Sequence, residues 1–223
     1  MKALNFGIRK ITEEILLFSS RLIKEIYSIL LEDVRGKYKY PEEYRISQNW
    51  IGGSKPSDAK HVPSPNYMLN DLMSDLEKFI HNNDIKILHL LKIAILHYQF
   101  ETIHPFSDGN GRVGRLMIPL YLLDKKILNK PCFYILDYFE KNRTEYYNSL
   151  TRVRENNDMI SWIKFFLKGV IITAQIAKKK FQKVVMTVKN YEEKASTLSG
   201  NWGNTLKVLQ SFYDNPLSIS NSF

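Results

Sequence analysis

The chain has 223 residues, of which 44% are hydrophobic and 13% aromatic, a composition that builds a packed core and excludes global disorder. Its 32 Lys and Arg against 23 Asp and Glu leave a formal charge of +9, a surplus that suits a nucleic acid, a membrane surface or a smaller polyphosphate without choosing among them. The lone Cys132 excludes an intrachain disulfide, the start "MKALNFGIRK" carries no secretory signal, and no apolar run approaches the ~20 residues of a membrane span, so a cytoplasmic protein is expected.

Residues 9–33 carry Ile11, Ile15, Leu16, Leu22, Ile23, Ile26, Ile29 and Leu30. Spacings of three and four predict an amphipathic helix or a helix pair. "VRGKYKYPEEY" then breaks the pattern at Gly36 and Pro41. In "YRISQNWIGGSKPSDAKHVPSP", Ile46, Gln48 and Trp50 lead into Gly52 and Gly53, and Ala59 to Val62 read as the returning strand before Pro63 and Pro65. That pattern predicts one small hairpin in an otherwise helical chain.

Leu69, Leu72, Met73, Leu76, Phe79 and Ile80 restore helical spacing. Residues 85–100, "IKILHLLKIAILHYQF", are apolar nearly all round, as in a helix buried at the centre of a bundle. "VGRLMIPLYLLDKK" predicts a second buried helix, with a kink or break at Pro119. Two further helices are expected around Tyr146 to Val153 and Ile160 to Ile176. The reading is a mainly α, single-core domain over residues 1–180, with its core at about 5–175. Residues 181–223 are expected to form a basic, linker-like and helical tail.

Between the two buried helices lies "ETIHPFSDGNGRVGR", residues 101–115. Gly109, Asn110 and Gly111 precede a helix, where glycines let backbone N–H groups turn toward an anion and the helix start adds partial positive charge. Arg112 and Arg115, three apart, share a helix face and can hold neighbouring phosphates. Asp108 would be repelled by those phosphates unless Mg²⁺ stood between. His104 then becomes a candidate general base. Taken singly these residues read as a turn, a solvated helix face and a packed histidine. Their joint order points instead to a nucleoside triphosphate with Mg²⁺. The loop is neither a Walker P-loop, which ends in Gly-Lys-Ser/Thr, nor a dinucleotide fingerprint following a strand.

This stretch resembles the signature of the Fic family, His-x-Phe-x-Asp/Glu-Gly-Asn-Gly-Arg-x-x-Arg. His104, Phe106, Asp108, Gly109, Asn110, Gly111, Arg112 and Arg115 fill every fixed position. "SQNWIGG" with "HVPSP" is similar to the family's hairpin flap, and "VRG" and "YYNSL" are similar to its surroundings. The resemblance implies a Fic fold, a helical bundle with one small β-hairpin flap. It also implies adenylyl transfer (AMPylation), in which ATP gives AMP to a Ser, Thr or Tyr hydroxyl of a target protein. By that resemblance His104 is the general base, Asp108 the Mg²⁺ ligand and Phe106 the anchor of the loop. Gly109, Asn110 and Gly111 would hold the α- and β-phosphates, and Arg112 and Arg115 the β- and γ-phosphates. Trp50, Ile51, Gly52 and Gly53 of the flap would pair with the target as an added strand, and Tyr146 and Tyr147 would border the nucleoside. Doc-like kinases of the family place Lys where this chain has Gly111, so Gly111 favours AMP transfer over phosphorylation.

Many Fic proteins carry an inhibitory helix, Ser/Thr-x-x-x-Glu-Gly/Asn. The nearest match, "SILLED" from Ser28 to Asp33, has Asp33 at the final position and reads as an ordinary structural helix. An inhibitory helix supplied by another protein or lost would leave Arg115 free. "NTLKVLQSFYDNPLSIS" resembles the start of a winged-helix module, but too little follows for nucleic-acid binding. His61, His81, His89 and His97 show no metal-ligand spacing, so zinc is not expected. The rival readings are a non-catalytic nucleotide-binding regulator or adaptor, and a Fic-type transferase with another donor. The expected partners are a target protein and either an inhibitory partner or a second copy of the chain, with no membrane.

Overall fold

The computed structural model describes residues 2–32, 43–130 and 133–197, together with Gly203, Lys207 and Ser211. The expectations placed on Gly36 and Pro41, Asp33, Cys132 and the winged-helix-like tail lie outside these residues. Two units divide the chain, Met1–Thr173 and Ala174–Phe223.

Among the described residues of the first unit the order is α1 (Lys2–Thr12), α2 (Ser20–Glu32), α3 (Leu69–His81), α4 (His89–Ile103), α5 (Asn110–Asp124), α6 (Leu136–Lys141), α7 (Arg143–Asn156) and the start of α8 (Met159–Ser196). The helix-pair alternative is the one adopted at the start of the chain. The break between α1 and α2 contains Ile15 at φ 52°, and that side chain is exposed. The second unit is described as the remainder of α8, with Phe181, Val184, Val185, Met186 and Tyr191 exposed.

The core is built where apolar faces of α2, α4 and α5 meet. Leu22, Ile23, Ile93, Leu96, Phe100, Val113 and Ile118 are all fully buried. Gly114 sets how closely α4 and α5 approach, because a Cβ there would meet Glu101 Oε1 at 2.5 Å and the Phe100 ring at 3.1 Å. α4 is ringed by other elements, yet it carries buried Lys92, His97 and Glu101 among its apolar residues. Lys92 meets the cost of burial by donating to the Asn82 carbonyl, 2.9 Å.

Three expectations change. First, of the kink or break expected at Pro119 the break is absent, and α5 continues through Pro119 to Asp124. The proline removes only the N–H that would have bonded the Arg115 carbonyl, while buried Met117, Ile118, Leu120 and Tyr121 hold both halves in the core. Second, the hairpin is reduced to a single antiparallel bridge, Ile51 with His61, among the described residues. Gly52 and Gly53 at φ 71° and 72° turn the chain at once, and prolines at 63 and 65 remove ladder donors on the returning side. The turn is a 3₁₀ helix, Pro56–Asp58, held by Asp58, whose carboxylate accepts from the Ser54 and Lys55 amides. Third, α8 is long and apolar enough by length and composition to cross a membrane. Its Trp162 and Phe166 are fully buried in the first unit.

Candidate active site

Residues 101–115 run from the last turn of α4 to the first turn of α5. His104 caps α4 in the left-handed conformation, φ 51° and ψ 59°, its amide bonded to the Phe100 carbonyl at 2.9 Å. Pro105 follows, so the helix cannot continue. Phe106 is fully buried and stacks on Tyr27 with ring centroids 3.8 Å apart. One buried aromatic side chain holds the loop to the core by about 1.5–3 kcal/mol.

Asn110, at the first position of α5, is 1% exposed. Its side chain accepts from the Phe106 amide at 2.8 Å and donates to the Phe106 carbonyl at 2.7 Å. The loop is therefore tied shut across four residues, and what Asn110 offers a ligand is its backbone N–H. Gly109 precedes it at φ 80°. Helical bonding begins with Arg112 and Val113, both to the Gly109 carbonyl, so the amides of Asn110 and Gly111 lie ahead of the first intrahelical bond. That is an anion cradle at a helix N-terminus.

Two arginines flank the cradle. Arg112 lies 3.6 Å from Asp108. The Asp108 carboxylate also accepts from the Gly109 amide and is more than half exposed. Arg115 lies 4.0 Å from Glu140 of α6, and its Nε is buried without a hydrogen bond. The expectation of an unopposed Arg115 is thus replaced by a loose carboxylate pair. At Gly111 a Cβ would lie 3.1 Å from Arg115 Nη1, so the bare glycine lets that guanidinium rest beside the cradle. A cleft of about 200 Å³ opens beside both arginines, walled by Leu4, Leu30, Leu116, Pro119 and Ile135.

Burial pushes the His104 pKa down to about 4, and the positive fields of His61, Arg45 and Arg154 push the same way, while the Glu101 carbonyl opposes them. The imidazole is neutral over the physiological range, as a base must be. Its Nδ1 is buried without a hydrogen bond.

The flap is fastened to this loop by His61, and by Arg45 and Asn49, which nothing in the sequence marked. His61 Nε2 bonds the Thr102 carbonyl at 3.0 Å. Arg45 Nε donates to the His104 carbonyl at 3.0 Å, and Asn49 Nδ2 to the Phe106 carbonyl at 3.2 Å. On the flap itself, Ile51 is half-buried while Gly52 and Gly53 are exposed, and Trp50 presents 40% of its surface to solvent.

The two tyrosines separate. Tyr146 is buried, with its hydroxyl 2.9 Å from His97 Nε2, so it packs as a core residue. Tyr147, next along α7, is 44% exposed. Behind them lies a buried polar cluster. His97 Nδ1 meets the Gly114 carbonyl at 3.0 Å, and Arg154 donates to the Glu101 carbonyl and Thr102 Oγ1 at 3.3 and 3.4 Å. Burial raises the Glu101 pKa to about 7 against the opposing fields of Arg115 and Arg154, and lowers that of His97 to about 4.

These shifts set a pH dependence of folding. Between pH 6.5 and 4 the unfolded histidines bind protons that folded His97 and His104 refuse, so stability falls as pH falls through that window. Glu101 acts oppositely, because between pH 7 and 4.5 the folded state takes up a proton first. We expect Glu101→Gln to lose stability more steeply than the parent from pH 7 to 4.5 in urea unfolding series. An equal slope would show that Glu101 is ordinarily charged.

Similarity to known proteins agrees with this geometry. The family model described as Fic/DOC family matches residues 17–122. The chain is 33% identical over 138 residues to a probable protein adenylyltransferase of Aquifex aeolicus, covering 61% of this chain and 37% of that protein. It is 29% identical over 157 residues to the protein adenylyltransferase Fic of Nematostella vectensis, covering 66% of this chain and 34% of that one. The chain thus spans about a third of the length of these relatives. A solved Fic family protein from Desulfovibrio desulfuricans shares the fold at a TM-score of 0.66 and 24% identity, over 95% of this chain and 64% of that one.

Proposed function

Because this chain carries a Fic domain of the Fic/DOC family across residues 17–122, we propose that it transfers AMP from ATP to a Ser, Thr or Tyr hydroxyl of a target protein. The observation that carries this reading is the juxtaposition of a neutral histidine with an anion cradle and two arginines on one 12-residue loop, from His104 to Arg115. The names of the adenylyltransferase relatives support it.

His104, with its proton on the buried Nδ1, keeps Nε2 to accept the proton of the target hydroxyl. The hydroxyl oxygen bonds to the α-phosphorus, the α–β bridging bond breaks, and pyrophosphate leaves. The Asn110 and Gly111 amides, Arg112 and Arg115 hold the negative charge that moves onto the leaving group. Tyr147 would border the nucleoside, and the flap from Trp50 to Gly53 would take the target as an added strand.

Asp108 would hold Mg²⁺. A single accessible carboxylate beside the cradle fits an ion that takes one or two protein carboxylates and fills its shell with phosphate oxygens and water. When bound it neutralises phosphate charge. An inhibitory partner would compete with Glu140 for Arg115 through the adjoining cleft. Cytoplasmic location belongs to the same proposal.

ATP labelled at the α-phosphate, and separately at the γ-phosphate, distinguishes the chemistry in a lysate. Protein-bound label from the α-position alone is expected. Label from the γ-position alone would make the protein a kinase, and binding without label transfer would favour the regulator.

A further inference from the structure

Arg45 lies just before the flap, is 4% exposed and has no carboxylate among its hydrogen-bond partners in the described residues. A buried guanidinium is retained only where its donors are well occupied. Here each of the three guanidinium nitrogens donates to a backbone carbonyl. Nε donates to His104 at 3.0 Å, Nη1 to Ser47 at 3.1 Å, and Nη2 to Ser64. Its own amide donates to the Pro105 carbonyl at 2.9 Å. Ser47 and Ser64 stand at the outgoing and returning limbs of the flap, so one side chain joins both limbs to the residue in the left-handed position. That position costs a histidine about 1–2 kcal/mol without such support.

We propose that Arg45 is a positioning residue: its planar fork fixes the backbone of His104 relative to both limbs of the flap, so that base and target segment are held in one frame. This deepens the adenylyl-transfer reading and rests on His104 being its base. A lysine retains the charge but cannot span three carbonyls in a plane. The flap bonds of His61 and Asn49 to Thr102 and Phe106 hold the neighbouring carbonyls, yet neither reaches His104.

The groups facing the His104 ring are Arg45, His61 of the flap, Arg154 of α7 and the Glu101 carbonyl of α4. Removing Arg45 takes away one positive field and loosens the packing that excludes water, and both changes ease protonation of His104. The nucleotide cradle is made by other residues and is left in place.

The test uses Arg45→Gln and Arg45→Lys in the full chain, with melting curves to confirm folding. The kcat of labelled transfer is expected to fall on the order of 10- to 100-fold in both, since small misplacement of a reacting group costs that much. KM for ATP should stay within about twofold. The His104 imidazole, followed by NMR in the nucleotide-free protein, should titrate at higher pH in Arg45→Gln than in the parent. A folded Arg45→Lys with parental kcat, a KM for ATP that rises in step with the loss of kcat, or an unmoved His104 titration would each overturn the proposal. The NMR arm needs no turnover. A shifted titration in a protein whose parent transfers nothing would therefore sink the adenylyl-transfer reading and leave the role of Arg45 in holding His104 standing.

Discussion

Replacing His104 with alanine is expected to lower AMP transfer by about 10²- to 10⁴-fold, the usual contribution of a positioned general base, while ATP still binds. The cradle amides of Asn110 and Gly111 and the two arginines belong to α5, so removing an imidazole from the end of α4 leaves them intact. Alanine is poorly suited to φ 51°, and part of any loss would come from the backbone. His104→Asn is the cleaner variant, because asparagine accepts the left-handed region far more readily. Calorimetric ATP binding close to parental in both variants, with transfer lost in both, is the expected pattern. Undiminished transfer by either would remove His104 as the base.

A comparably large effect is expected from Asn110→Ala, for a different reason. The Phe106 amide and carbonyl are buried and both use the Asn110 side chain. The carbonyl retains Asn49, at 3.2 Å, but the amide loses its acceptor. A buried unsatisfied donor costs about 1–3 kcal/mol, and the loop joining His104 to the cradle opens at its narrowest point. We expect a loss of stability of about that size in urea unfolding, together with a higher KM for ATP. Asn110→Asp keeps the acceptor for the Phe106 amide but turns its other oxygen on the Phe106 carbonyl. Stability should therefore recover only in acid, where the protonated carboxyl donates to that carbonyl, while at neutral pH its negative charge weakens ATP binding. Equal stability of the two variants in acid would refute the loop-closing role.

What was legible in the sequence was what lies close together in it. The motif from His104 to Arg115 is one turn and one helix start, so residue spacing nearly determines its geometry. Helix α3 follows from apolar periodicity in the same way, and α4 and α5 from long apolar runs. The unread part was long-range. Arg45 meets His104 across 59 positions and His61 meets Thr102 across 41, and nothing local marks an arginine before a short extended run as buried. The burial of α4 was read from its apolar run, but the partners that make burial of His97 and Glu101 tolerable lie on α5 and α7, far along the chain. The alternation from Ile46 to Trp50 suggested a strand, but the glycine and proline positions leave only one bridge. Tyr146 and Tyr147 are adjacent in sequence and opposite in exposure, a difference set by which side of α7 faces Trp162 and Phe165.

The central claim is that the bond broken lies between the α- and β-phosphates and that the group transferred is a whole nucleoside monophosphate. Mass spectrometry of the target recovered after incubation with ATP reads this directly. The account predicts a Ser, Thr or Tyr side chain enlarged by an adenosine monophosphate group, absent when His104→Asn replaces the parent. A side chain enlarged by a single phosphate would contradict it.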